Sequence, residues 1–213
     1  MTAITRQPVT ADILRAKFTA TDELVWIPAS KETFWNLIEL PEFHIEYVNN
    51  QIVGTMSYGA LMHERIIKNL IGLFIFNFNS EEHEPFGSNR PIHAEPCDCI
   101  FEADVHMVSG EMKLYNYGKT KTATANPSVI VEVLSDSTRD FDNDTKLPCY
   151  KQMPSVQHIL LIDQKNPNIQ LFSRTKKPNE WLESDYSDLS QRVKILGKYF
   201  SLKTIYNKVI FNI

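Results

Sequence analysis

The alternation of apolar and polar positions divides the chain into elements. Residues 1–29 are polar and irregular, interrupted by Pro8 and Pro28, with one short helix predicted at 11–18. Ser30 can cap a helix over 31–40: its hydroxyl can accept an unsatisfied amide N–H, Glu32 favours the dipole in the first turn, and Pro41 stops the helix. Residues 44–48 and 51–56 read as two strands joined by Asn49-Asn50, a pair that tolerates the positive φ of a two-residue hairpin turn. Over about 59–77, Leu70, Phe74 and Phe78 recur near the helical period with Ile66, Ile67 and Ile71 beside them, predicting a core helix.

Strand-like segments follow at 84–87 or 92–95, at 97–108 and at 128–134. The last, Val129-Ile130-Val131-Glu132-Val133-Leu134, is almost unbroken in apolar residues, the pattern of a strand buried on both faces. A helix over 142–153, despite Pro148, leads to an apolar strand at 158–162. The remainder reads as antiparallel strands at 168–173, 181–184 and 192–195 with a short helix near 202–208. With no internal repeat and no low-complexity linker, the pattern predicts a single mixed α/β domain: an N-terminal extension over 1–29, a core over 30–172 and C-terminal strands with a short helix over 173–213.

Composition narrows the class without naming a function. At 213 residues, 43% hydrophobic and 23% charged, the chain is neither disordered, collagen-like nor a disulfide miniprotein. Twenty-six acidic residues against 22 Lys and Arg argue against coating nucleic acid by bulk charge, while leaving room for a local basic groove. The longest apolar stretch, 66–78, is interrupted by Lys68 and Asn69 and falls short of a membrane span, so no membrane partner is implied. The first 15 residues carry no signal-like apolar run and three cysteines cannot all pair, which leads to the expectation of a reducing, cytoplasmic setting.

Three ionisable residues stand out against the apolar pattern: Asp104 in one predicted central strand, Glu132 in the next, and Lys146 on the following helix. Carboxylates in apolar strands are expensive to bury unless paired or metal-bound. Two on neighbouring strands can hold a hard divalent cation. Such an ion polarises a phosphodiester and lowers the pKa of a bound water, and a lysine ammonium can position that water or offset transition-state charge. A strand-end acid or a buried Asp–Lys pair accounts for any one of these residues alone. The three in this order fit phosphodiester cleavage.

The same residues carry a family resemblance. Residues 47–56, His63, Asp104-Val105, Val131-Glu132-Val133-Leu134-Ser135 with Ser137-Thr138, Asp142, Lys146 and Tyr150, and residues 156–163 resemble the Uma-two family of the PD-(D/E)XK, restriction-endonuclease-like superfamily, over roughly 46–172. The resemblance implies an αβββαβ core, a central mixed sheet flanked by helices, and a Mg²⁺- (or Mn²⁺-) dependent endonuclease acting on DNA. It implies Asp104 and Glu132 as metal ligands. The superfamily's lysine usually stands two residues after the glutamate, where this chain has Leu134; in this family it has moved to the next helix, here Lys146. Ala103 stands where the family usually has proline, which would contribute backbone restriction and no ligand atom. Glu46 and His63 match family positions near the site, His63 as an accessory to phosphate or water, with a solvated strand residue and a core histidine as the respective alternatives. Asp142 is four residues before Lys146 on one helix, placed to pair with it and orient it. Because superfamily members often cut duplexes as dimers, a homodimer is a further expectation.

Other clusters compete. Cys97 and Cys99, with His93 and His106, suggest zinc, but the gap is too short and a second cysteine pair is missing. In an unbroken strand both cysteines would face away from Asp104, so packing against a helix is the preferred reading. Residues 109–126 interleave Lys113, Lys119 and Lys121 with Tyr115 and Tyr117, a pattern that can grip and stack on nucleic acid or simply form a solvated loop. The leading reading is a metal-dependent DNA endonuclease; a nuclease-fold binding module with little catalysis and a hydrolase of small phosphate esters are its rivals.

Overall fold

The computed structural model describes residues 9–56, 60–117 and 120–211, and residues 9–29 of it hold more regular structure than their composition suggests. Helix α1 (Ala11–Phe18) is capped by the Thr10 hydroxyl and buries Leu14 and Phe18; β1 (Val25–Pro28), unanticipated from sequence, follows. Ser30 Oγ accepts the Thr33 N–H at 3.1 Å and opens α2 (Lys31–Leu37), which stops short of the predicted end. The hairpin of β2 (Phe43–Val48) and β3 (Gln51–Met56) turns through Asn49 and Asn50 with φ of 48° and 59°, the left-handed values a two-residue turn needs. Helix α3 (Leu61–Asn77) buries Ile66, Ile67, Leu70 and Phe74; the predicted start at Gly59 lies outside the described residues.

Both alternatives for the next strand exist, β4 (His83–Gly87) and β5 (Ile92–Ala94), in different sheets. The predicted strand over 97–108 is broken. After a 3₁₀ turn at Glu95–Cys97, β6 (Cys99–Phe101) belongs to one sheet and β7 (Val105–Ser109) to the other. The basic, aromatic stretch is a hairpin, β8 (Leu114–Tyr117) with β9 (Lys121–Thr124), and leads into the fully buried β10 (Pro127–Leu134). The next helix is composite: α4 (Arg139–Phe141), a π turn at Asp142–Lys146, and α5 (Leu147–Gln152). Pro148 lacks an N–H and its ring would press on the carbonyl four residues back, so a widened turn immediately before it lets the helix continue. Strands β11 (His158–Asp163), β12 (Ile169–Arg174) and β13 (Trp181–Tyr186), a ribbon of β14 (Arg192–Ile195) and β15 (Lys198–Ser201), and α6 (Leu202–Ile205) complete the chain.

Six strands form a mixed sheet in the order β13-β12-β11-β10-β7-β4, with only β10 and β11 parallel. The parallel pair is joined by the composite helix, since a parallel crossover requires a helix-length connection. Counting from α3, the order α3, β4, β7, β10, α5, β11 is αβββαβ. The excursions between β4 and β7 and between β7 and β10, together with the N-terminal strands, build a second, seven-stranded sheet, β1-β3-β2-β6-β5-β9-β8.

Three apolar cores hold these layers. One packs α3 and α6 on the six-stranded sheet; a second packs α1 and α2 on the seven-stranded sheet. The third lies between the sheets, where Phe141, Leu147, Tyr150 and Met153 of the composite helix meet Phe101 on one side and Ile130 and Leu161 on the other. The helix carrying Lys146 is therefore an interior helix. Among the described residues no helix is long and apolar enough to cross a membrane.

Candidate active site

The seam where the chain crosses from β6 to β7 sets the geometry. Val105 pairs with Val131 in the antiparallel β7–β10 ladder, so the next step brings Asp104 opposite Glu132. Asp104 stands just before β7 rather than within a continuous strand, and Oδ2 accepts the Val133 N–H at 2.7 Å, which locks the carboxylate onto β10. On β10, Val131 and Val133 face α3 while Ile130 and Leu134 face the inter-sheet core; alternation puts Glu132 on the latter side. Its Oε1 accepts a 2.7 Å hydrogen bond from the Tyr150 hydroxyl, and Oε2 lies 3.4 Å from the Asp104 N–H.

Lys146 reaches the same point from the π turn. Its ammonium lies 2.8 Å from Glu46 Oε1, 3.1 Å from Asp142 Oδ1 and 3.3 Å from Glu132 Oε1. Glu46 comes from β2, where Ile45 and Tyr47 point into the N-terminal core and Glu46 faces the opposite way; its Oε1 also accepts the Glu102 N–H at 3.0 Å. His63, in the first turn of α3, places Nε2 3.2 Å from Asp104 Oδ2. All six candidates, Asp104, Glu132, Lys146, Glu46, His63 and Asp142, line one cavity of about 330 Å³.

Burial dominates the electrostatics. It pushes the Glu46 carboxyl up to about 7, even though the Lys146 charge and hydrogen bond pull it down. Glu132 is pushed well above the usual carboxylate range by burial, against the pull of Lys146 and with added repulsion from Asp142, Asp104 and Glu46. Asp142 is raised for the same first reason. Burial opposes the Lys146 charge, but the surrounding Glu132, Glu46 and Asp142 outweigh it and the ammonium is held well above its ordinary value. His63 is likewise raised: burial opposes its charge, and the hydrogen bond and charge of Asp104 prevail.

Among these six candidates, four carboxyl groups thus face one permanent cation and one imidazole. Glu46 Oε2 is buried with no hydrogen-bond partner, and Asp142 Oδ1 is close to the ammonium without hydrogen-bond alignment. Buried oxygens of this kind call for a counter-charge. Among the described residues no group of three or more His, Cys, Asp or Glu forms a ready-made metal cage. The donor set suits a small hard cation that takes one or two carboxylates and keeps several waters, as Mg²⁺ does.

Sequence reading passed over two members of this pocket, His44 and Glu102. His44 shares the Glu46 face of β2, and its Nδ1 lies 3.3 Å from Glu102 Oε2, a pairing that raises the histidine's pKa. Glu102 lies in the crossing segment, hidden by the assumption of one strand through 97–108. Tyr150 was matched to the family, but its bond to Glu132 is visible only in three dimensions.

The other clusters are differently used. Cys97 does pack against the helix, as a disulfide with Cys149 of α5, while Cys99 is a buried free thiol. Tyr117 and Tyr115 stack on Trp35 at centroid distances of 5.5 and 6.3 Å, so their rings are engaged in packing rather than presented to bases. Lys121 bonds the Trp35 carbonyl, Lys113 lies in the exposed approach to β8, and Lys119 lies outside the described residues.

The fold and site together define a restriction-endonuclease-like protein. The solved structure of a protein from Anabaena variabilis, described as "a putative nuclease belonging to DUF820", superposes with a TM-score of 0.62 at 16% identity, over 86% of this chain and all of that one. The family model described as "Uma2: Putative restriction endonuclease" matches residues 32–200, and the chain belongs to that family. Two proteins of Synechocystis sp. are also similar. Uncharacterized protein sll1609 is 31% identical over 56% of this chain and 66% of its own length; uncharacterized protein slr1290 is 30% identical over 78% and 85%.

Proposed function

We propose that the protein is a metal-dependent endonuclease that hydrolyses DNA phosphodiester bonds in the pocket between its two sheets. The observation that carries this reading is the convergence of Asp104, Glu132 and Lys146, from a sheet crossing, a central strand and an interior helix, on one cavity. Asp104 and Glu132 would hold Mg²⁺ or Mn²⁺, which supplies polarisation of the phosphodiester and a more acidic water.

The chain's own residues do the rest. Lys146 keeps its proton in the field of three carboxylates, so it serves as a fixed positive charge and not as a base. It orients the attacking water beside Glu132 and offsets negative charge as that oxygen bonds to phosphorus and the P–O bond to the leaving strand breaks, the proton given up by the water passing through solvent to the leaving oxygen. Glu46 and Asp142 position the ammonium. Tyr150 fixes the Glu132 carboxylate, a support of the kind that sets ligand orientation. His63 places Nε2 against Asp104 and Nδ1 3.4 Å from Glu64 Oε1 while lining the cavity, so its imidazole offers positive charge to a phosphate there.

The test is cleavage of plasmid DNA with Mg²⁺ or Mn²⁺ by the parent, Asp104→Ala and Glu132→Ala proteins. Cleavage by the parent alone is expected. Equal cleavage by all three would overturn the assignment, and turnover of mononucleotides without DNA cleavage would replace it with a small-ester hydrolase.

A further inference from the structure

A second cavity, of about 670 Å³, adjoins the first: His44, Ser88 and Glu102 line both. Like the first, it is a product of the two-sheet seam. The segment between β4 and β5, carrying Ser88, Asn89, Arg90 and Pro91, crosses from one sheet to the other along its wall, and Thr120, Lys121 and Thr122 form another part of the lining.

Arg90 is the distinctive group there. Its Nε donates to Thr124 Oγ1 at 3.2 Å, and one terminal nitrogen donates to Thr122 Oγ1 at 2.8 Å and to the Thr122 carbonyl at 3.2 Å. The guanidinium is thereby fixed in orientation by β9. Among the described residues no carboxylate forms an ion pair with it; partial burial works against its charge, and the Glu84 carboxylate supports that charge without touching it. The two carboxylates of this groove are already engaged, Glu102 with His44 at 3.3 Å and Glu39 with Lys121 at 3.9 Å. Its remaining lining is rich in hydroxyl and amide groups from Ser88, Asn89, Thr120 and Thr122. A half-buried, pre-oriented guanidinium with no carboxylate in ion-pair contact, among neutral hydrogen-bonding groups, matches a phosphate.

We propose that the nucleic-acid strand entering the active-site pocket continues into this second groove, and that Arg90 holds a phosphate flanking the scissile one. The inference rests on the nuclease reading and deepens it: the site takes a polymer of phosphodiesters rather than a single ester.

Two variants test it, Arg90→Ala and Asn89→Glu; the second adds a negative charge at an exposed groove residue without removing the bonds to β9. For cleavage of short single-stranded and duplex oligonucleotides, KM should rise about tenfold, more than kcat falls, as expected for loss of one charge-assisted contact. The salt dependence of binding should become shallower by about one phosphate contact in Arg90→Ala. Loss of activity on bis(p-nitrophenyl) phosphate, which has no flanking phosphate, should be much smaller. Equal losses on both substrates, or an unchanged oligonucleotide KM in both variants, would overturn the proposal.

If the parent protein cleaves nothing, the nuclease reading fails, and fluorescence anisotropy with the same labelled oligonucleotides decides the groove separately. Binding weakened about tenfold by both variants sustains it. Binding equal to the parent's, or no binding by the parent, overturns it.

Discussion

Lys146 brings its charge to a point with three carboxylate oxygens within 3.3 Å. Removing it would leave buried acids without their cation, a change that costs more than the pair itself contributes. Lys146→Met should therefore lower unfolding free energy by about 3–5 kcal/mol in urea titrations as well as abolish cleavage. A variant as stable as the parent would show that the ammonium is not the cluster's counter-charge. Asp104, Glu132 and Lys146 were legible from sequence because charge in an apolar strand demands compensation. His44 and Arg90 were not, since a half-buried histidine or arginine reads like any surface residue until the cavity it lines is known.

At the scale of elements, β10 and the helix after it were readable from periodicity, but the break between β6 and β7 was not. Residues 97–108 are continuous in strand-forming character, and only the separate pairings of β6 and β7 divide them between two sheets. The π turn was similarly hidden, although the four-residue spacing of Asp142 and Lys146 survives within it. The β14–β15 ribbon is tied to the main sheet by His158 of β11, whose Nε2 accepts the Leu196 N–H at 3.1 Å while Nδ1 meets Ser173 Oγ at 3.0 Å. The ring must be neutral to accept that bond, and burial pushes its pKa from 6.5 down to about 4. With the folded value below the unfolded one, its stabilisation is complete above pH 6.5 and is lost as pH falls through about 4. Melting temperature should fall across that window, reflecting a loss on the order of 3 kcal/mol, and His158→Gln should flatten the profile. An identical acid slope in the variant would assign the effect elsewhere.

Over the whole molecule, the catalytic reading depends on how two sheets and an interior helix are held together. The Cys97–Cys149 bond joins the turn after β5 to α5 across a sequence separation of 52 residues, fastening the seven-stranded sheet to the helix behind Lys146. Closing a loop of that size stabilises by about 4 kcal/mol on the chain-entropy account. Reductant should lower the melting temperature of the parent, and Cys149→Ser should melt low with or without it; a parent indifferent to reductant would mean the bond contributes nothing. The net charge of −4 argues against coating nucleic acid by bulk charge. The acidic pocket contributes to that excess, while the one unpaired guanidinium of the adjoining groove supplies attraction where the proposed strand would lie.

The central claim is that Glu132, buried between Tyr150 and Lys146, takes part in phosphodiester hydrolysis. The most direct measurement is the single-turnover rate of supercoiled plasmid cleavage at saturating Mg²⁺ for the parent and for Glu132→Gln, which preserves shape and removes charge. A rate lower by at least about a hundredfold is expected in a variant that still folds; a rate within twofold of the parent would remove Glu132 from the proposed hydrolysis.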